Sequence, residues 1–356
     1  MTTEEKDRLF KSIQDIVNDN PVLVIGCGAS MNYGIPGMWD LAMAIKADFT
    51  RTPPISEESK NCVNELVGKL DAKMGLEDAM LSIKCTGEVE NRILEIVWNQ
   101  IKPKDNEVFM DVIQSRSCLP LTDLLTHLIY NRADAGVNVV TTNYDCLIEY
   151  AASKTDAYVN CGCSQSHIGH FIGFDHKNHL VKLKDYEGCV NIYKIHGSLD
   201  WFIDNNGEMR SYPNLTYIPN EMKPCIITPG TNKYERALED PHRTLISSVD
   251  GLFKDASGYM CIGYGFNDKH IQPNLLKMAI ERKKKIINMS KGMQRQASLI
   301  LAFAAKPKYL FLAKNYIIVY SDGANGTKFK SSSEANEMID ETTEYWKLEN
   351  FIAIIQ

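Results

Sequence analysis

Four short segments carry the residues with which this chain could do chemistry. In Gly26-Cys27-Gly28-Ala29-Ser30, two glycines permit a tight turn and let a phosphate approach the backbone. If a helix follows, its first N–H groups face the anion. Thr141-Thr142-Asn143-Tyr144-Asp145 offers an amide, which both donates and accepts, and a carboxylate. The plainer reading is that Asn143 or Asp145 caps the next helix. In His196-Gly197-Ser198 an imidazole stands where an apolar run meets glycine. Such a histidine is either a hydrogen-bonded core residue or, at a strand end, a general base. The fourth segment is Gly263-Tyr264-Gly265-Phe266-Asn267-Asp268.

Each segment needs an element to hold it. Val22–Ile25 is a short, wholly apolar run bounded by turn residues, which suits a buried parallel strand. Similar runs occur at 137–140, 190–195, 225–228 and 259–262, with weaker ones at 285–288 and 316–320. Apolar residues at helical spacing predict helices over 4–17 and 121–129, and others fit 234–254, 270–283, 292–304 and 334–348. From about 39 to 118 the chain is rich in Met, Lys, Glu and Leu, and reads as a helical insertion broken near Thr52-Pro53-Pro54. Strands alternating with helices predict an α/β fold with a doubly wound, mostly parallel sheet. In such sheets ligands bind beyond the carboxyl ends of the strands, so the four segments would converge on one crevice.

Composition bounds the classes. The chain has 356 residues, 44% hydrophobic and 24% charged, values of a globular protein. A net charge of -6 disfavours a chain-wide grip on nucleic acid. The basic run Arg282-Lys283-Lys284-Lys285 reads as a solvated helix end. The longest apolar runs fall short of the ~20 residues that span a bilayer. Ten cysteines without an export signal predict reduced thiols and a cytoplasmic setting. Cys161 and Cys163 with His167, His170, His176 and His179 could hold zinc, but the spacing fits no common module, so no metal is expected. A dehydrogenase fingerprint would need glycine at Met31, and Asp48, at the distance of a ribose-binding acid, sits in a helical segment. Trp201-Phe202 either lines the crevice or packs the core.

In order and spacing, Gly26-x-Gly28-Ala29-Ser30 with Gly34-Ile35-Pro36, Thr141 to Asp145, His196-Gly197-Ser198, and Gly263 to Ile271 resemble the sirtuin family. The branch they are most similar to is that of the bacterial sirtuin-like proteins of antiphage defence, above all the subunit that works with a HerA-type ATPase. The resemblance spans about residues 20 to 290. Three departures accompany it. The two CxxC pairs of deacylating sirtuins are absent. Ile227-Thr228-Pro229-Gly230 stands where their acyl-lysine channel has Phe-Gly-Glu, and Gly37-Met38-Trp39 where they have Asp-Phe-Arg.

The resemblance implies a Rossmann-like NAD-binding domain over 1–38 and 119–290, with 39–118 as the helical insertion. Residues 291–356 would then be a C-terminal α/β extension available for oligomer or partner contact. It also implies NAD as substrate, cleaved at the nicotinamide–ribose bond to ADP-ribose and nicotinamide, with water as acceptor in the absence of a lysine channel. Asn143 and His196 would be catalytic. Gly26, Gly28, Ala29, Ser30, Thr142, Asp145, Gly263, Gly265 and Asp268 would bind the dinucleotide, with Asp145 on the carboxamide. The alternatives are an NAD-dependent protein deacylase and a non-catalytic module that binds NAD or ADP-ribose. A homo-oligomer, controlled by a HerA-type ATPase and with Gly34–Trp39 as a lid, completes the expectation.

Overall fold

The structure, a computed structural model, describes residues 1–131, 136–164, 166–174, 185–213, 215–228, 237, 239–266, 268, 271–281, 285–291, 316–321, 326–334 and 336–356. Its strands run, in chain order, β1 Val22–Ile25, β2 Gly136–Thr141, β3 Ala157–Asn160, β4 Gly169–His170, β5 Gly188–Lys194, β6 Gly197–Ile203, β7 Met209–Ser211, β8 Lys223–Ile226, β9 Gly258–Ile262, β10 Lys285–Lys291, β11 Tyr316–Ser321, β12 Thr327–Ser331 and β13 Met338–Asp340. Its helices are α1 Thr3–Asn18, α2 Met38–Arg51, α3 Glu57–Asp71, α4 Leu76–Leu81, α5 Gly87–Ile113, α6 Pro120–Tyr130, α7 Leu147–Ser153, α8 His242–Asp255, α9 Gln272–Glu281 and α10 Leu348–Ile355.

All four side chains of β1 are buried, as they must be in a strand covered on both faces. Leu23 and Ile25 enter one apolar layer, with α1, α2, α5, α6, α7 and α10; Val22 and Val24 enter the other, with α8 and α9. That two-residue alternation makes the fold a sheet between two layers of helix. The sheet order is β13-β12-β11-β10-β9-β1-β2-β5-β3. From β3 to β11 every neighbouring pair is parallel, and β12 and β13 add an antiparallel edge. The chain winds outward from β1 through β2 on one side, then returns to lay β9, β10 and β11 on the other. The fold is thus the expected doubly wound α/β class, with residues 22–25, 137–140 and 192–194 in one sheet.

Local rules set the helix ends. Thr2 and Glu5 form a capping box at the start of α1, whose Leu9, Ile13, Ile16 and Val17 are buried. Thr86 caps α5, and Pro120 opens α6, where a missing N–H costs nothing. Between β1 and β2 every regular element is helical, with the break after Arg51 at the expected prolines.

Two expectations fail. Residues 225–228 were expected to extend the parallel sheet, yet β8 joins a second, antiparallel sheet of order β4-β7-β6-β8. The cause is at Gly197, whose φ of +85° turns the chain out of β5 straight into β6. A Cβ there would lie 1.9 Å from the Cys225 carbonyl oxygen, so β6 and β8 meet backbone to backbone. Residues 334–348 were expected to be helical, but β13 pairs with β12 and the helix begins only at Leu348. Pairing along the β11–β12 edge, with Lys6 holding Asp340, overrides the helical composition. The helix expected at 292–304 lies outside the described residues, as do 234–236, 238, 270, 282 and 283 of two others, which appear as α8 from His242 and as α9 from Gln272.

Candidate functional site

The switch in winding direction falls between β1 and β9, and the loops that leave their carboxyl ends interlock. Gly26 N–H donates to Ile262 O and Gly28 N–H to Gly263 O, both at 3.0 Å. A Cβ on Gly26 would lie 2.6 Å from Tyr264 Cα, and one on Gly28 2.8 Å from Gly263 O. Gly263, at φ +59°, would place a Cβ 2.2 Å from Ala29 N. The space these glycines leave is therefore taken by the backbone of each other's loop. Ala29 and Ser30 N–H close tight turns onto Gly26 O and Cys27 O.

The segment after β2 folds over this pair. Asn143 is buried; its N–H donates to Thr141 Oγ1 and its Nδ2 to Ser30 Oγ, each at 3.0 Å. Asp145 Oδ1 accepts from Leu147 N–H at 3.3 Å, a local turn just ahead of α7, whose N-cap position is Cys146 and neither Asn143 nor Asp145. Burial pushes the Asp145 carboxyl up, while Lys194 and Ser30 pull it back. Lys194 is wholly buried beneath the segment, bonded to the Asp145 carbonyl and, at 2.7 Å, to Glu149. Burial opposes its charge, but Glu149 and its other acidic neighbours outweigh that and hold it protonated.

The helices between β1 and β2 brace the same segment. On α5, Asp105 accepts from Cys146 N–H and from Tyr150 OH, both at 2.7 Å. Lys102 bridges Asp105 and Asp200 at 3.3 Å to each. Trp98 Nε1 donates to Leu199 O at 2.9 Å, tying α5 to β6.

His196 follows β5, with Nε2 2.9 Å from Asp268 Oδ2, and both side chains are 7% exposed. The other carboxylate oxygen of Asp268 accepts from Ile271 N–H at 3.1 Å. A histidine whose ring is held by a carboxylate anchored on a helix start is arranged as a base is in hydrolytic sites. A second histidine unnoticed in the sequence, His242, lies behind it with Nδ1 3.1 Å from Ile195 O.

These groups enclose one cavity of about 180 Å³. Of the sequence-predicted residues, Gly26, Thr142, Asn143, Asp145, His196, Gly265 and Asp268 line it. Gly28, Ala29, Ser30 and Gly263 lie behind that wall, where they hold the loops together. Sequence reading missed Cys27, Tyr144, Ile227, Tyr264, Ile101 and Glu77, which also line it. Tyr144 OH donates to Ile227 O at 2.6 Å, which closes that side. Of Gly34–Trp39, Ile35, Pro36 and Met38 reach the cavity.

Other candidates take structural places. Asp48 pairs with Arg92 at 2.7 Å and with Arg51, so it is no ribose acid. Trp201 and Phe202 pack inward, against Phe171 and against Trp98 and Tyr212 respectively. Cys161 and Cys163 are thiols pushed up by burial, Cys163 to about 12. Among the described residues no three His, Cys, Asp or Glu groups gather as metal ligands; His176 and His179 lie outside them. Among the described residues no helix is long and apolar enough to cross a membrane.

Comparison with known proteins gives one family. The model of the SIR2-like domain matches residues 137–320. Among solved structures, a Sir2 enzyme studied for mechanism and regulation is similar at 15% identity, over 79% of this chain and 85% of that one, with a TM-score of 0.40. A variant of a Sir2 homologue in complex with ADP-ribose is similar at 15% identity over 81% and 84%, with a TM-score of 0.41. Sir2 bound to an acetylated peptide is similar at 14% identity over 79% and 86%, with a TM-score of 0.38. No curated protein matches the sequence.

Proposed function

The chain belongs to the SIR2-like domain family, and on that premise we propose that it hydrolyses NAD⁺ at the nicotinamide–ribose bond. The observation that carries the reading is the set of His196, Asp268 and Asn143 around one cavity at the sheet's switch point. The cavity, at about 180 Å³, is smaller than the ~300–1,000 Å³ of usual small-molecule pockets. It suits the nicotinamide–ribose end of the dinucleotide, with the remainder running out along the β1 and β9 loops.

The chemistry follows from the side chains. The bond breaks with its electron pair leaving on nicotinamide, through a cation-like sugar that a held water then attacks. Asn143, its Nδ2 fixed on Ser30, presents its amide oxygen to that water or to a ribose hydroxyl. His196 takes the water proton, and Asp268 holds the imidazole and balances the charge it gains. One water is consumed; nicotinamide, ADP-ribose and a proton leave. Asp145 bonds the carboxamide. Water is taken as the acceptor because Ile227-Thr228-Pro229-Gly230 stands where the deacylating members of the family carry their acyl-lysine channel segment.

The proposal extends to setting: an NAD-depleting effector of antiphage defence in the cytoplasm, a homo-oligomer whose activity a HerA-type ATPase alters. The motif resemblance and the need for low resting activity support it. The test is nicotinamide release by the purified protein, with and without such an ATPase. His196→Ala and Asn143→Ala should each abolish release while the circular dichroism spectrum is retained. Release at the wild-type rate by both variants would refute the assignment, and loss of acetyl groups from lysine peptides would replace hydrolysis by deacylation.

A further inference from the structure

Lys194 is a buried charge that the proposed reaction does not use. β2 and β5 run in register until Thr141 stands opposite Lys194, and there the two chains part. One leads through Asn143 and Asp145 to α7; the other turns through His196 and Gly197 into β6. Lys194 sits at that fork, at the end of a buried strand. Its Nζ donates to the Asp145 carbonyl, to Tyr144 O at 3.3 Å and to Glu149 Oε1 at 2.7 Å, so each of its three protons has an acceptor. Leu199 N–H, on β6, reaches the same Tyr144 carbonyl at 3.0 Å. Stability alone does not call for a lysine there. Burying an ammonium and a carboxylate costs solvation that their attraction seldom exceeds, and an apolar pair of equal volume packs at least as well. What the pair adds is direction, because a charged donor holds two particular carbonyls and an apolar side chain would hold neither.

We propose that Lys194 is a positioning residue of the NAD⁺ site: it grips the Tyr144 and Asp145 carbonyls from a strand that ends two residues before His196, and so sets the distance between the Asn143–Asp145 segment and the imidazole. The inference rests on reading this cavity as the NAD⁺ site. Lys194 acts through that segment and not on the substrate. Other bonds hold the segment without it: Asn143 is tied to Thr141 and Ser30, and Asp105 on α5 accepts from Cys146 N–H at 2.7 Å. Removing the lysine therefore leaves the segment folded and slackens its placement against His196. In a reaction that needs a water, an amide and a base in line, a displacement of about 1 Å costs about 10²-fold in rate.

The test separates placement from stability. Lys194→Met should lower kcat for nicotinamide release by about 10²-fold, while KM for NAD⁺ and the calorimetric affinity for ADP-ribose stay within about threefold. That variant strands the Glu149 carboxylate, so the double variant Lys194→Met, Glu149→Gln, which leaves no charge behind, is measured beside it. The double variant should regain melting temperature and stay about 10²-fold slow, because the two carbonyls still lack their donor. Asp340→Asn, on the edge strand β13, should lose stability at full kcat. Wild-type kcat in the double variant, or kcat falling in step with melting temperature across all three proteins, makes Lys194 structural and overturns the proposal while the hydrolase reading stands. Failure of the double variant to fold, or loss of ADP-ribose affinity as large as the loss of kcat, overturns it in the same way. A wild-type protein that releases no nicotinamide, alone or with the ATPase, overturns both.

Discussion

At the scale of single residues, His196 and Asp268 define the site more closely than any glycine. Their 2.9 Å contact gives Asp268, expected to bind the dinucleotide, a second candidate role as the group that would hold a base. The two roles predict different kinetics. As an orienting carboxylate, Asp268→Asn should lower kcat by about 10²–10⁴-fold with little change in KM. A loss confined to KM would return Asp268 to the substrate. The places of Asn143 and His196 at the cavity were legible because a strand end beside glycine exposes a polar side chain where ligands bind. The His196–Asp268 partnership was not, because the two follow β5 and β9, strands distant in sequence that share one sheet with β2 and β1 between them. Glu77 was hidden for another reason: one acid among several on a polar helix surface looks like any solvated charge.

At the scale of elements, the β1 and β9 loops act as one unit. Gly263 combines a left-handed φ with a Cβ position 2.2 Å from Ala29 N, whereas Gly34, at φ +77°, has open space around its Cβ position. Gly263→Ala must part the loops and should destabilise by about 2–4 kcal/mol, while Gly34→Ala should cost only about 1 kcal/mol. Urea unfolding of the two variants measures the difference, and equal costs would show that the interlock contributes nothing. The parallel strands other than β3 were readable because each is an apolar run closed by Gly or a polar cluster; β3, a mostly half-buried Ala-Tyr-Val-Asn, gives no such signal. What such runs do not carry is the identity of their partner, so β8 was recognised as a strand and assigned to the wrong sheet. The segment from Glu334 to Leu348 misled by composition, since long-range pairing of β12 with β13 outweighs intrinsic helical preference.

At the scale of the whole molecule, α1 crosses to the antiparallel edge. Lys6 bonds Asp340 at 2.8 Å, and Gln14 bonds Ile354 O at 2.7 Å. Burial would raise the Asp340 carboxyl, but the hydrogen bonds from Lys6 and Thr342 outweigh it and hold the group down at about 2. Its folded value lies below its unfolded one, so its stabilisation is present above about pH 4 and is lost as pH falls towards 2. Asp340→Asn should therefore cost about 1–2 kcal/mol at pH 7 and almost nothing near pH 2. Urea melts at both ends of that range decide it, a constant difference being the contrary result. The same large-scale view gives Trp98 a use beyond packing. Its indole sits 1% exposed on the insertion and is anchored to β6, so its excited state senses an apolar surround only while the helices stay seated over the cavity. Lifting the insertion would let water reach the ring and shift its emission to longer wavelength. The molecule thus carries its own optical gauge, in which the colour of one of its four tryptophans registers whether the helices are seated over the cavity.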